Sequence, residues 1–207
     1  MSALKKPDLQ TKRPLTPALS PKGARVKVAG RKDREKIFAE LAHHRCRFMA
    51  VLAGDQDFIL ADLAAGVGQL AAQVTSNCTH PLKNQVGAVF NHRDILIRIA
   101  AHCVGWLDWM QGAEPRPGKD AFVLISAERD RQDSLFVEGN ISFSCCSPVV
   151  DTKRKLRVLV EEVGEVAEAI DKLEYCHSSP ATRHLIDELV QVAAVAVAWL
   201  ETPECKS

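Results

Sequence analysis

The sequence predicts an all-α protein made of two three-helix units, packed as a pseudo-dimer in one helical bundle. Apolar residues recur at the three- and four-residue spacing of helices in six segments. No segment keeps a strict two-residue alternation for long enough to form a sheet. The two halves also align with each other, as expected from duplication of a unit of about 95 residues. Because each long apolar helix needs a partner surface, we expect the two units to share a core.

Composition and charge exclude several classes of protein. The net charge of +1 gives no electrostatic reason to expect binding to nucleic acid or to an anionic membrane. The longest apolar run, Leu189 to Leu200, has about 12 residues, whereas a membrane span needs about 20. No apolar segment follows the basic N-terminus, so we expect no signal peptide. Seven cysteines without a CxxC pair argue against a disulfide framework and a zinc site, and predict a cytoplasmic protein.

Residues 1–31 are predicted to form a disordered basic tail. Four prolines interrupt any helix there, and lysine and arginine are scattered without apolar periodicity. A tail of this kind is either a solvated extension or an arm that binds nucleic acid. We favour the solvated extension, and no nucleic-acid partner is expected.

The first unit, residues 32–112, contains three predicted helices. Apolar spacing places them at about Asp33–Leu52, Asp55–Thr75 and Gln85–Met110. Gly54 is expected to end the first helix, and the stretch SNCTHPLKN is expected to be a loop after the second. Residues 111–119, QGAEPRPGK, are the best candidate for a linker.

The second unit, residues 120–202, repeats this plan. Asp151 or Thr152 is a suitable N-cap for its long acidic helix, and Pro180 suits the first turn of its last helix. The predicted segments are a helix at about Asp120–Leu135, a loop at 137–150, the acidic helix to about Tyr175, and the last helix to about Glu201.

Two offsets relate the halves to each other. Residues 67–71, VGQLA, lie 96 positions before residues 163–167, VGEVA. Seven further residues recur 93 positions later: Asp94, Leu96, Ala100, Ala101, Val104, Trp106 and Leu107 match Asp187, Leu189, Ala193, Ala194, Val197, Trp199 and Leu200. Residues shared by both copies are expected to serve helix packing. Asp187 is therefore interpreted as a structural first-turn carboxylate.

Only the second copy carries a set of carboxylates. Glu161, Glu162 and Glu165 align with Ala65, Gly66 and Gln69, while Glu188 and Gln191 align with Ile95 and Arg98. Glu162 and Glu165 are about one helical turn apart, so both can bind one ion, and a cation would offset their repulsion. Oxygen ligands without cysteine or histidine favour Mg²⁺ or Mn²⁺ over zinc. The alternative is a solvated helix face paired with the basic residues before it. The absence of these acids from the first copy favours the metal site.

These segments resemble the MazG-like, all-α NTP pyrophosphohydrolase family. The similarity is carried by ERDRQD, LVEEVGEVAEAI and ELVQVAAVAVAWLE, all within residues 120–202. In that family an EExxE helix and a following ExxD helix hold Mg²⁺ ions, and a nucleoside triphosphate is hydrolysed to its monophosphate and pyrophosphate. The resemblance implies a house-cleaning enzyme for non-standard or excess nucleotides. Because the family commonly forms dimers of such units, a homodimer is compatible with it.

The resemblance also implies roles for individual residues. Glu162, Glu165 and Glu188 would be metal ligands, and Glu161 would orient or deprotonate the attacking water. Gln191 would be a further ligand, although the family has an aspartate there and an amide brings no charge. This departure leaves open a catalytically inactive relative that binds nucleotide, metal or a protein partner.

Lys155 and Arg129 are weaker candidates for contact with the substrate phosphates. Both carry the positive charge that a phosphate attracts. A solvated position at the surface is the interpretation that we favour for each.

Overall fold

The structure is a computed structural model, and it describes residues 31–48, 56–79, 91–112 and 120–205. The described residues are helical with connecting turns and contain no strand, which confirms the all-α class. The helices are α1 Arg31–Phe48, α2 Gln56–Thr79, α3 His92–Gln111, α4 Ala121–Val137, α5 Thr152–Cys176 and α6 Ser179–Leu200, followed by a 3₁₀ turn at Pro203–Cys205. The predictions for residues 1–30, for Gly54 and for the linker at 113–119 lie outside the described residues.

Side-chain caps set where several helices begin. Asp151 accepts a hydrogen bond from the Lys153 amide, so it is the N-cap of α5, as one of the two predicted alternatives had it. The Asn91 side chain accepts from the Asp94 amide, so α3 starts at His92. The predicted start near Gln85 is therefore wrong: Asn91 has extended backbone and satisfies an amide of the first turn.

Two other boundaries also differ from the predictions. α2 continues to Thr79, so the stretch beginning at Ser76 starts as helix and not as loop. α6 begins at Ser179, with Pro180 in its first turn as predicted. Asp187 consequently lies well inside α6 and is exposed, and the first-turn interpretation holds for Asp94 alone.

Helices α3 and α6 form the centre of the bundle. They pack against each other, α2 packs on α3, α5 packs on α6, and α2 also contacts α5. α1 lies against α3 and α4 lies against α6. Both central helices are apolar nearly all round, which is typical of fully buried helices. This packing arrangement of the helices is the one expected from two three-helix units, while the pseudo-dimer itself stays a prediction.

Most of the apolar residues shared by the two copies lie in the core, whereas Asp94 and Asp187 are exposed. Trp106 and Trp199 are 1% and 0% exposed, so each half contributes one buried indole. Five pairs at the offset of 96 are also buried: Ile59 and Lys155, Leu63 and Leu159, Val67 and Val163, Leu70 and Val166, and Val74 and Ile170. Four of these pairs are apolar on both sides, which fits a role in helix packing.

One described segment, Phe58–Thr75 of α2, is long and apolar enough to cross a membrane by length and composition. Its inward residues Ile59, Leu63 and Leu70 are buried in the bundle. The helix therefore packs on the bundle along one side.

Candidate metal centre

Three carboxylates from two helices meet between α5 and α6. Glu162 and Glu165 project from α5 and Glu188 from α6, and one oxygen of each lies within 4.8 Å of the others. The first two share a side of α5 because residues three apart are neighbours on a helix. Glu188 reaches them because α6 packs along α5. We call Glu162, Glu165 and Glu188 the acid cluster. The structure thus brings together the three carboxylates that the sequence proposed as metal ligands.

The acid cluster has a buried side and an open side. Glu188 is 6% exposed, Glu162 is partly buried, and Glu165 is exposed. Solvent can therefore reach the cluster past Glu165, while Glu188 forms its inner wall. A small cation or a charged ligand would enter from the Glu165 side.

Glu162 is the least satisfied member of the acid cluster. Its Oε2 is buried and has no hydrogen-bond partner among the described residues. Burial, followed by the charges of Glu165 and Glu188, raises the pKa of the Glu162 carboxyl to about 7. A buried carboxylate oxygen without a partner costs free energy, which either a proton or a cation would relieve.

Both oxygens of Glu188 have partners on its own helix. His184 Nδ1 lies 3.2 Å from Oε1, and the Gln191 amide nitrogen donates to Oε2 at 2.7 Å. Burial is the main reason that the pKa of Glu188 is raised, and the charge of Glu165 adds to it. His184 is four residues before Glu188, a spacing that places both side chains on one side of α6.

Gln191 contacts the acid cluster through its nitrogen and not its oxygen. An amide can only donate to a carboxylate through its NH₂ group, so this orientation follows from chemistry. A ligand role for Gln191 would use its other atom, Oε1, and stays a prediction.

Glu161 and Glu128 lie beside the acid cluster without being part of it. Both charges contribute to the raised pKa of Glu162, which places them close to that carboxyl. Glu161 is exposed on α5. Glu128, on α4, accepts hydrogen bonds from Arg131 at 2.6 and 2.7 Å and from Gln132 at 2.9 Å. Glu161 is thus free to face solvent at the cluster, as its predicted role with the attacking water requires.

Arg129 and Lys155 do not lie at the surface. Arg129 is 0% exposed, and its Nη2 lies 2.8 Å from Asp133 Oδ1 and 3.0 Å from Glu201 Oε2. Lys155 is also 0% exposed, and its Nζ lies 2.6 Å from Glu204 Oε1. The favoured interpretation of both as solvated side chains is therefore wrong. Phosphate contact is not supported either, because both cations are buried against carboxylates outside the acid cluster.

At the described positions that align with it, the first half carries no counterpart of the acid cluster. Gln69, at the position of Glu165, accepts a hydrogen bond from Arg98, at the position of Gln191. Ile95, at the position of Glu188, is 1% exposed. A Cβ added at Gly66, at the position of Glu162, would lie 2.8 Å from Ile99 Cγ1. Apolar packing and a neutral hydrogen-bond partner thus replace the carboxylates.

The acid cluster fits a hard divalent cation. Its ligand atoms are all carboxylate oxygens, which Mg²⁺ and Mn²⁺ prefer. Two helices supply them, and one oxygen of Glu162 lacks a partner among the described residues. No protein-family model matches this chain, and no match to it was found among curated proteins or solved structures. The assignment of a function therefore depends on the sequence motifs and on this geometry.

Proposed function

We propose that the chain is a Mg²⁺- or Mn²⁺-dependent nucleoside triphosphate pyrophosphohydrolase with the acid cluster as its metal centre. The reaction would convert a nucleoside triphosphate and water to the monophosphate and pyrophosphate. The observation that supports this is the convergence of three carboxylates within 4.8 Å, one of them with a buried oxygen that lacks a partner among the described residues. A divalent cation would offset the repulsion among these carboxylates. Nucleotide phosphates are substrates that bind such a cation.

The residues at this centre would have different roles in the reaction. Glu162, Glu165 and Glu188 hold the cation, which when bound polarises the phosphate and lowers the pKa of the attacking water. Glu161 is exposed beside Glu162 and orients that water or accepts its proton. The exposed side at Glu165 admits the nucleotide. A cytoplasmic, house-cleaning role for non-standard or excess nucleotides fits this chemistry.

The direct test is a panel of NTPs and dNTPs with Mg²⁺ or Mn²⁺, with monophosphate and pyrophosphate measured as products. At least one nucleotide should be hydrolysed, and Glu162→Gln should reduce the rate by about 100-fold or more, because it removes one ligand charge. Glu174→Gln is the matched control, since Glu174 is an exposed carboxylate of α5 outside the acid cluster. The enzyme proposal fails if no nucleotide gives more product with the wild type than with Glu162→Gln.

A second candidate is an inactive relative that binds metal and nucleotide without turnover. Gln191 supports it, because it replaces the family's aspartate with a neutral side chain that donates to Glu188. This candidate predicts that Mn²⁺ plus nucleotide raises the melting temperature while no product forms. It also predicts that Gln191→Asp gains activity. A purely structural protein would show no thermal shift with Mn²⁺ plus nucleotide.

A further inference from the structure

His184 extends the acid cluster by one turn of α6. Its Nδ1 lies 3.2 Å from Glu188 Oε1, and its Nε2 lies 3.3 Å from Lys172 Nζ on α5. Lys172 also lies 2.8 Å from Glu168 Oε1. A chain of polar contacts therefore runs from Glu168 through Lys172 and His184 to Glu188, across both helices.

Lys172 determines which nitrogen of His184 carries the proton. An ammonium group has three donors and no acceptor, so Nε2 must accept from Lys172. In the neutral ring the proton then lies on Nδ1, the nitrogen that faces Glu188. Both contacts require the same tautomer, so His184 is held as a donor to Glu188.

Glu188 is consequently held at both oxygens by its own helix. His184, four residues before it, faces Oε1, while Gln191, three residues after it, donates to Oε2 at 2.7 Å. Each carboxylate oxygen has two lone pairs, so one donor at each leaves lone pairs free for a cation. A carboxylate fixed in this way loses less conformational freedom when it binds an ion.

The first copy lacks this arrangement. α3 begins at His92, which corresponds to residue 185 in the second copy at the offset of 93. α6 begins earlier, at Ser179. The extra turns of α6 contain His184, and the residue at its position in the first copy is Asn91, the N-cap of α3. The copy with the carboxylates is thus also the copy with the longer helix that brings His184 beside Glu188.

We propose that His184 and Gln191 are positioning residues that hold Glu188 in the orientation that binds a divalent cation, and that Lys172 sets the tautomer of His184. This inference rests on the proposed metal centre. It assigns Gln191 to the support of a ligand and leaves three carboxylates as the ligands themselves.

Titration of the full-length chain with Mn²⁺, followed by calorimetry, tests the proposal without any assay of activity. His184→Leu should weaken Mn²⁺ binding by about 10- to 100-fold, the usual effect of losing a partner that orients a ligand. His184→Asn should recover most of the affinity, because its amide nitrogen can donate from about the position of Nδ1. Gln191→Leu should weaken binding in the same direction. His43→Leu, at an exposed histidine of α1, is the matched control and should bind as the wild type does.

Lys172→Met separates positioning from simple charge. Removing a cation near the acid cluster would tighten Mn²⁺ binding if charge alone mattered. Loss of the tautomer control should weaken binding instead, and less than His184→Leu does. Tighter binding by Lys172→Met would overturn the role of Lys172.

The outcomes also separate this inference from the proposed function. If His184→Leu and Gln191→Leu bind Mn²⁺ as the wild type does, the positioning roles are wrong and the metal centre stands. If the wild type binds no more Mn²⁺ than Glu162→Gln, the metal centre itself is wrong. If His184→Leu does not fold, judged by circular dichroism, then His184→Asn and Gln191→Leu decide, with Asn expected near wild type and Leu weaker.

Discussion

Helix α6 takes part in two charged clusters that differ in their balance of charge. Near its C-terminal end, the buried side chains of Arg34, Arg129, Asp133 and Glu201 form what we call the ion network. Arg34 lies 2.7 Å from Glu201 and 3.2 Å from Asp133, and Arg129 contacts the same two carboxylates. Two guanidinium groups thus face two buried carboxylates, and Arg34 also lies 2.6 Å from the exposed Asp130. The acid cluster, further up α6, has three carboxylates and no lysine or arginine in contact with them among the described ion pairs.

The difference is the reason that we propose different roles for the two clusters. In the ion network each buried carboxylate is paired with both guanidinium groups, and the network joins α1, α4 and the end of α6. The acid cluster has no such partners: burial is the main cause of the raised pKa of Glu162, and the charges of Glu165 and Glu188 raise it further. We therefore assign structure to the ion network and propose ligand binding for the acid cluster.

The largest effect on stability should come from opening the ion network. Arg129→Met leaves Glu201, which is 0% exposed, with Arg34 as its remaining guanidinium partner, and should lower the free energy of unfolding by about 3–5 kcal/mol. Arg131→Met is the matched control on the same helix. Its side chain is 56% exposed, and the change should cost about 1 kcal/mol or less. Urea unfolding measures both.

Equal losses for the two arginine variants would contradict the structural assignment of the ion network. A stable Arg129→Met variant would show that Arg34 alone satisfies Glu201 and Asp133. The ion network would then no longer serve as the structural reference against which the acid cluster is compared.

The two copies give a second, smaller contrast. A Cβ at Gly66 would lie 2.8 Å from Cγ1 of Ile99, a side chain that is 1% exposed and has little room to move. Gly66→Ala should therefore cost about 1–3 kcal/mol in stability, in spite of the better helix propensity of alanine. A Cβ at Gly164 meets nothing within 4 Å, so Gly164→Ala should stabilise by about 0.5–1 kcal/mol.

Thermal unfolding of the two glycine variants should show shifts of opposite sign. If both variants are stabilised, α2 and α3 can separate to admit a side chain at Gly66. Packing against Ile99 would then not be what prevents a larger side chain at Gly66, the first-copy position that aligns with Glu162.

The fold was largely predictable from the sequence, because long periodic apolar segments define helices strongly. The helix ends were less predictable. Asn91 caps α3, so the helix begins at His92, and Asn77, a residue typical of loops, lies inside α2. A single side-chain hydrogen bond decides such boundaries, and its presence depends on backbone geometry that the sequence does not display.

The acid cluster was predictable because the first copy acted as a control for the second. What the sequence could not show were contacts between distant residues. Arg34 reaches Glu201 across 167 positions, and Lys155 reaches Glu204 across 49, so their burial was invisible in a local pattern. His184 was missed for another reason: its spacing from Glu188 is an ordinary helical one, and its meaning depends on Lys172 from the facing helix.

The last expected effect is a pH dependence of stability that belongs to Glu162. Its pKa is raised from the ordinary value of 4.5 to about 7, first by burial and then by Glu165 and Glu188. Between these two pH values the folded protein holds a proton that the unfolded chain has lost, so the free energy of unfolding falls as the pH rises. The contribution is fully present below about pH 4.5 and is lost above about pH 7.

Glu162→Gln lacks this titration. In EDTA, its melting temperature should therefore rise relative to that of the wild type by a few degrees as the pH increases from about 4.5 to about 7. Added Mn²⁺ should reduce the gain, because a bound cation stabilises the ionised carboxylate and the folded state that binds it. Parallel melting curves for the two proteins throughout the window, with and without Mn²⁺, would show that Glu162 is neither strained by its neighbours nor in contact with the ion.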